Sequence, residues 1–292
     1  MSAAREGEKR ETTMTQVVRA AAALADKVEG WKRSGMRVGV VPTMGALHDG
    51  HLSLLRTARR HCDRVIVTIF VNPLQFDRAD DLEKYPRDEA RDLALLEAER
   101  ADVLFAPGVG DVYPDGFSTR VSVAGISEEL EGAFRPGHFD GMTTVVTKIL
   151  GMAQAGWAFF GEKDWQQLQI VRRLVTDLNL PVRVTGCPTV REPDGLALSS
   201  RNARLTPEAR RIAPALYQVM QQTAQGLRAG RDPVRELDDA RSRLIEEGFA
   251  SLDYLELRHA ETLRPLADPA DPARLLAAAW LGGVRLIDNI AI

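Results

Sequence analysis

Cysteine is scarce: 292 residues hold two, Cys62 and Cys187. Two thiols cannot make a disulfide framework or a four-thiolate zinc site. They fit a reduced compartment and two inert side chains. A surplus of either charge is also missing, the net charge being −3 from 38 basic and 41 acidic residues. Without a basic excess, no nucleic-acid partner is expected. No apolar run reaches the ~18 residues that span a bilayer, so no membrane partner is expected either. Met1 to Thr13 is polar, carries both charge signs and lacks the apolar centre of a signal peptide. It reads as a disordered tail, and a cytoplasmic location is the expectation.

What is present is a globular composition, 45% hydrophobic and 27% charged, on a chain long enough for one large or two modest domains. Val17, Val18, Ala21, Leu24 and Val28 repeat with helical spacing, which predicts a helix over Gln16 to Trp31. Arg37 to Pro42 is a short apolar run and reads as a buried strand. Leu52, Leu54, Leu55 and Ala58 predict the next helix, and the β-branched run Arg64 to Val71 the next strand. Further helices are expected at Asp88 to Ala98, Met142 to Leu150 and Leu168 to Leu178, with strands at Asp102 to Ala106 and Trp157 to Phe160. Such alternation implies right-handed crossovers, and so an α/β, Rossmann-like, doubly wound parallel sheet.

After Asn202 the pattern changes. Thr206-Pro207 starts a helix that Ile212, Leu216 and Met220 continue, and Pro233 opens another to about Glu247. Strands are expected at Leu252 to Arg258 and at Ala277 to Ile287, the second broken at Gly282-Gly283. The expected organisation is a tail over 1–13, a Rossmann-like domain over 14–188, and a smaller C-terminal α+β domain over 189–292 that closes over the site.

Ligands of such sheets sit beyond the carboxyl ends of the strands, near the switch point. Of five polar clusters, three fall there, at 42–51, 72–76 and 161–167. The first, Pro42-Thr-Met-Gly-Ala-Leu-His-Asp-Gly-His51, lies between a strand and a helix. A helix start near Gly50 offers free N–H groups and a positive dipole end to an anion. His48 and His51, three apart, can aim at one place, donate to phosphate oxygens and become cationic as charge develops. Neither G-x-x-x-x-G-K-[ST] nor G-x-G-x-x-G is present. The second, Phe70 to Phe76, brings the amides Asn72 and Gln75, with a Pro-containing turn as the plainer reading. The third, Phe134 to Gly141, brings Arg135 and His138; Asp140 reads as the cap of the helix that follows. The fourth, Phe160 to Gln167, offers Lys163 as a cation for phosphate, Asp164 as a cap or hydroxyl acceptor, and Gln167 one turn on. The fifth, Arg191 to Asn202, holds Ser199, Ser200 and Arg201, suited to closing on a triphosphate or to an ordinary linker. Asp88 and Asp92 follow Tyr85-Pro-Arg, and Asp92 is the candidate ligand of a Mg²⁺ that accompanies ATP.

Together the stretches VVPTMGALHDGHLSL, FVNPLQF, YPRD, RPGHFDGM, FGEKDWQQL and REPDGLALSSRN, in that order, closely resemble the pantothenate synthetase (pantoate–β-alanine ligase) family. That family belongs to the H-x-G-H nucleotidylyl-transferase superfamily, related in fold to class I aminoacyl-tRNA synthetases. The resemblance spans about residues 38–202. Leu198 stands where the family often has Met, and Trp165 where Tyr is common.

The resemblance implies ATP-dependent condensation of (R)-pantoate with β-alanine, giving pantothenate, AMP and pyrophosphate through a pantoyl adenylate. It makes ATP a substrate and Mg²⁺ its companion, and it implies a homodimer. By position, Met44, Gly45, Ala46, Leu47, His48, Asp49, Gly50 and His51 are expected at ATP, with His51 as proton donor. Gly161, Glu162, Lys163, Asp164, Val190, Leu198, Ser199, Ser200 and Arg201 join them, Lys163 at phosphate and Val190 at adenine. Gln75 and Gln167 are expected at pantoate, with Asn72, Arg135 and His138 beside them. His51, His48 and Lys163 are the expected catalytic set. An adenylyl transferase of the same superfamily acting on another small acid, and a non-catalytic nucleotide sensor, are the alternatives.

Overall fold

The computed structural model describes residues 14–76, 82–83, 85–269 and 271–292. The expected tail over 1–13 lies outside them. Six strands form one parallel sheet: β1 (Gln16–Val18), β2 (Val38–Thr43), β3 (Arg64–Ile69), β4 (Val103–Phe105), β5 (Trp157–Gly161) and β6 (Arg183–Cys187). Their spatial order is β1-β4-β3-β2-β5-β6. The chain therefore winds outward in two directions from β2, and the switch point lies between β2 and β5.

Helices cover both faces. In chain order they are α1 (Ala21–Arg33), α2 (Asp49–His61), α3 (Glu89–Ala98), the short α4 (Val109–Val112) and α5 (Glu131–Phe134), α6 (His138–Ala153) and α7 (Trp165–Asp177). Strand periodicity assigns them. Val38, Val40, Ile66, Ala158 and Phe160 pack with Leu24 of α1, Met142 of α6 and Leu168 of α7. The alternate residues Val41, Val65, Val67 and Phe159 pack with Leu55 of α2 and Leu96 of α3. A sheet buried on both sides explains the nearly unbroken apolar runs of β2 and β3.

The C-terminal part contains α8 (Pro207–Ile212), α9 (Ala215–Arg228) and α10 (Pro233–Glu246), then an antiparallel sheet of β7 (Ser251–His259), β8 (Ala273–Leu281) and β9 (Val284–Ala291). Its own core joins Leu216, Met220, Leu244, Leu255, Leu275 and Leu286. Tyr254, Leu263, Leu276 and Ala278 instead enter the core of the parallel-sheet part, so one face of the small sheet is seated on the large one.

Four local expectations are corrected and one strand is added. Gln16–Val18 is a strand paired with β4, and the helix begins only at Ala21; two adjacent β-branched valines fit a pleat better than a first helical turn. The edge strand β6, with no apolar run, was not foreseen. The helix from Thr206 splits at Pro214, which has no N–H to continue it. The expected broken strand over 277–287 is the hairpin β8–β9, with Gly282 and Gly283 (φ 55° and 75°) as its two-residue turn. Helix α6 is preceded by Gly137 at its cap position, and Asp140 lies inside its first turn without a capping role.

Candidate active site

The carboxyl ends of β2 and β5 open into a cavity of about 420 Å³. Its rim carries Met44, His48, Gly50 and His51 from the segment after β2, and Gly161, Lys163, Asp164 and Gln167 from the segment after β5. Asn72 and Gln75, Arg135 and His138, Val190, and Leu198 to Arg201 complete it. Groups spread over 158 positions of sequence thus face one space, as a switch-point crevice requires. Gly45, Ala46, Leu47, Asp49 and Glu162 are not among the lining residues. Leu47 is core, Asp49 points out toward Arg56, and Glu162 packs beside Gly186 of β6.

His48 is the N-cap of α2, and its Nδ1 accepts from the Gly50 N–H at 3.1 Å. The helix-start N–H expected to meet a phosphate is therefore taken by a side chain. The same bond leaves the imidazole hydrogen on Nε2, a donor available to an anion. Only glycine allows this, since a β-carbon at position 50 would lie 2.8 Å from the His48 ring. The His51 ring lies 4.2 Å from that of His48, centroid to centroid. Burial, reinforced by His48, pushes His51 down to about 3, and its Nδ1 is buried without a partner. Burial and the nearby Lys163 lower His48 as well. Both shifts favour the neutral imidazole in the free protein.

Asp92 is corrected too. It is 1% exposed, lies under the loop after β2, and accepts from the Ala46 and Leu47 N–H groups, each at 2.8 Å. Its carboxylate holds Ala46 in a left-handed conformation (φ 51°) and is not presented to the cavity. The Asn72 carboxamide is likewise occupied. It bonds the Gly141 carbonyl at 3.0 Å and accepts from the Tyr113 hydroxyl at 2.8 Å and the Leu74 N–H at 3.3 Å. It shapes the Pro73–Gln75 turn, as the plainer reading had it. His138 supports the same turn: its Nδ1–H donates to the Gln75 carbonyl at 3.0 Å, and Arg135 lies 3.2 Å from its Nε2. Gly141 packs against the turn so closely that a β-carbon would sit 2.0 Å from the Leu74 carbonyl oxygen.

Other cavity groups were not among the candidate site residues, although Tyr85 opens the YPRD stretch. Tyr85 is half-buried and hydrogen-bonded to Ser200, so the segment before α3 meets the segment before α8. Glu131 is buried against Arg285 at 2.6 Å, Arg285 also bonds Asp253 at 2.6 Å, and the Tyr254 hydroxyl reaches Glu131 at 2.7 Å. Met142, Val145, Val146, Phe160, Leu276 and Ile287 give the cavity an apolar floor. Among the described residues no helix is long and apolar enough to cross a membrane.

Fold and site together define a nucleotide-site enzyme of the doubly wound class, with polar grips and an apolar floor sharing one crevice. The profile of the family described as Pantoate-beta-alanine ligase matches residues 16–291, and the chain belongs to that family. A pantothenate synthetase of Cereibacter sphaeroides is 60% identical over 279 residues, 96% of this chain and 100% of the relative. A pantothenate synthetase structure from Thermus thermophilus superposes with a TM-score of 0.88 at 46% identity, covering 94% of this chain and 99% of that one. A pantoate-beta-alanine ligase from Francisella tularensis, complexed with beta-gamma ATP and beta-alanine, gives 0.81 at 35% identity, with 95% and 97% covered.

Proposed function

We propose that this protein joins (R)-pantoate to β-alanine at the expense of ATP, releasing AMP and pyrophosphate. One observation carries the reading: His51, Gln75, Lys163 and Gln167 line a single cavity that also has an apolar floor. A pantoate carboxylate oxygen attacks the α-phosphorus, the bond to the β-phosphate oxygen breaks, and pyrophosphate leaves. The β-alanine amine then attacks the acyl carbon of the pantoyl adenylate and AMP departs.

In this reading Gln75 and Gln167 bind the hydroxyl and carboxylate groups of pantoate, and the apolar floor takes its two methyl groups. The Nε2–H of His48, the His51 ring, Lys163, and Ser199 to Arg201 meet the phosphates, while Val190 and Leu198 border the base. Phosphate charge opposes the forces that keep the two imidazoles neutral, so His51 gains proton affinity as charge builds on the leaving pyrophosphate. No side chain is a covalent nucleophile; rate comes from placement and from charge stabilisation. Residues 14–188 supply most of the grips, and 189–292 cover them.

Mg²⁺ enters as the companion of ATP. Among the described residues no three His, Cys, Asp or Glu side chains gather into a metal-holding group, which suits an ion carried mainly by phosphates and water. Asp164 is the cavity carboxylate outside the buried guanidinium pairs and would be its protein contact. When bound, the ion neutralises phosphate charge. The two buried free thiols, both pushed up to about 11 by burial, suit a cytoplasmic setting. A homodimer belongs to the reading through the family.

Pyrophosphate release measured with ATP and Mg²⁺, with and without pantoate, tests the proposal. Release is expected only with pantoate. Release with a different small acid but not pantoate would assign another substrate, and no release with any acid would make the cavity a nucleotide-sensing site.

A further inference from the structure

Strand β9 places two adjacent polar residues at the cavity, Asp288 and Asn289, 4% and 6% exposed. Neighbouring strand residues point to opposite sides, and these two reach different segments of the site. The Asn289 Nδ2 donates to the carbonyls of Glu162 and Lys163, each at 2.9 Å. Its Oδ1 accepts from Arg274, whose guanidinium lies over the Trp165 ring at 3.3 Å. The Asn289 amide matches its neighbours in this orientation only: two carbonyls need a donor, and a guanidinium needs an acceptor.

Asp288 takes Arg191 in a two-point pair, at 2.6 and 2.8 Å. Arg191 also bonds the Gly195 carbonyl and stacks on Tyr217. It lies in a small hairpin closed by the Arg191–Ala197 bridge, where the Leu198 N–H donates to the Val190 carbonyl at 3.0 Å. That hairpin leads directly into Ser199 to Arg201.

We propose that Asp288 and Asn289 form a positioning clamp that sets the separation of the two phosphate-facing segments, with Asn289 fixing the direction of Lys163. The inference rests on the nucleotide site proposed above. Gripping the carbonyls of residues 162 and 163 fixes the peptide planes on either side of Lys163, and thereby its Cα–Cβ direction. Neither residue touches the reacting atoms.

Asn289→Asp separates this role from general stability. The carboxylate still accepts from Arg274 but cannot donate to the two carbonyls. Asn289→Ala, which adds no charge, is the companion variant. Both are made in the full-length protein, alone and combined with Lys163→Ala, and assayed for pantoate-dependent pyrophosphate release. Misplacement of Lys163 is expected to lower kcat roughly 10²-fold while pantoate KM stays within about threefold. In the Lys163→Ala background the same changes are expected to cost less than about threefold, because coupled residues are not additive. An equal loss in both backgrounds, or no loss beside intact Lys163, overturns the clamp. Absence of pantoate-dependent release from the unsubstituted protein would overturn the functional reading instead. Hydrogen exchange then decides the clamp without turnover. Faster exchange over residues 160–168 in Asn289→Asp, with β3 unchanged, supports it; equal exchange overturns it.

Discussion

The six-stranded parallel sheet meets the cavity with the tips of its strands, and the three-stranded antiparallel sheet meets it with one flank. After β2 and β5 the chain leaves the sheet and is free to present His48, His51 and Lys163. Along β9 the backbone is tied into a ladder, and its polar side chains reach back to backbone groups and guanidinium partners, as Asn289 does to the 162–163 carbonyls. Groups that act on a ligand must keep free donors. Groups that hold geometry are satisfied within the protein. The contrast separates residues whose loss should slow the reaction directly from residues whose loss should loosen the molecule and slow the reaction only through the groups they hold.

The largest effect expected is on stability, from the small sheet. Arg285→Met leaves Glu131 and Asp253 buried without their shared guanidinium, and about 3–5 kcal/mol should be lost in urea denaturation. A loss below about 1 kcal/mol would mean that apolar packing alone seats the two sheets. Next comes Lys163→Ala, from the strand tips. Adenylate formation should slow by roughly 10²- to 10³-fold while the urea midpoint stays where it was. A shifted midpoint with normal turnover would erase the division between the two regions.

The smallest effect near neutral pH is a pH dependence. His51 titrates near 3 in the folded chain against an ordinary 6.5. Between those values the unfolded chain takes up a proton that the folded chain refuses. Stability should therefore be full above 6.5 and fall as pH drops through the window toward 3, by up to about 1.4 kcal/mol per pH unit from this group. His51→Asn should flatten the upper part of that slope, where carboxylates do not yet titrate. An unchanged slope would show that the ring is solvated and not sealed.

Legibility in the sequence followed the same division. The buried strands β2 and β3 and the amphipathic α2 and α7 announced themselves because each signal is local: an apolar run, or a repeat at helical spacing. His48, His51, Gln75, Lys163 and Gln167 were readable because these cavity-facing groups cluster in short stretches just past strands. Asp288, Asn289, Arg285 and Glu131 were not. Asn289 finds its partners 127 and 126 positions away, and Arg285 finds Glu131 at a separation of 154. Strand residues with such distant partners have no spacing to betray them. Asp92 misled for a related reason. A carboxylate at a helix start usually faces water, and its role as anchor of the Ala46–Leu47 amides depends on a fold that brings α3 under the β2 loop.

The contact at Gly141 makes one half of the crevice intolerant of drift. With the Leu74 carbonyl pressed where a side chain would begin, even a methyl group would act as a wedge beneath Gln75. The cavity wall at Gln75 thus owes its shape to an atom the chain does without, and sequence change there is confined to the residues around that gap.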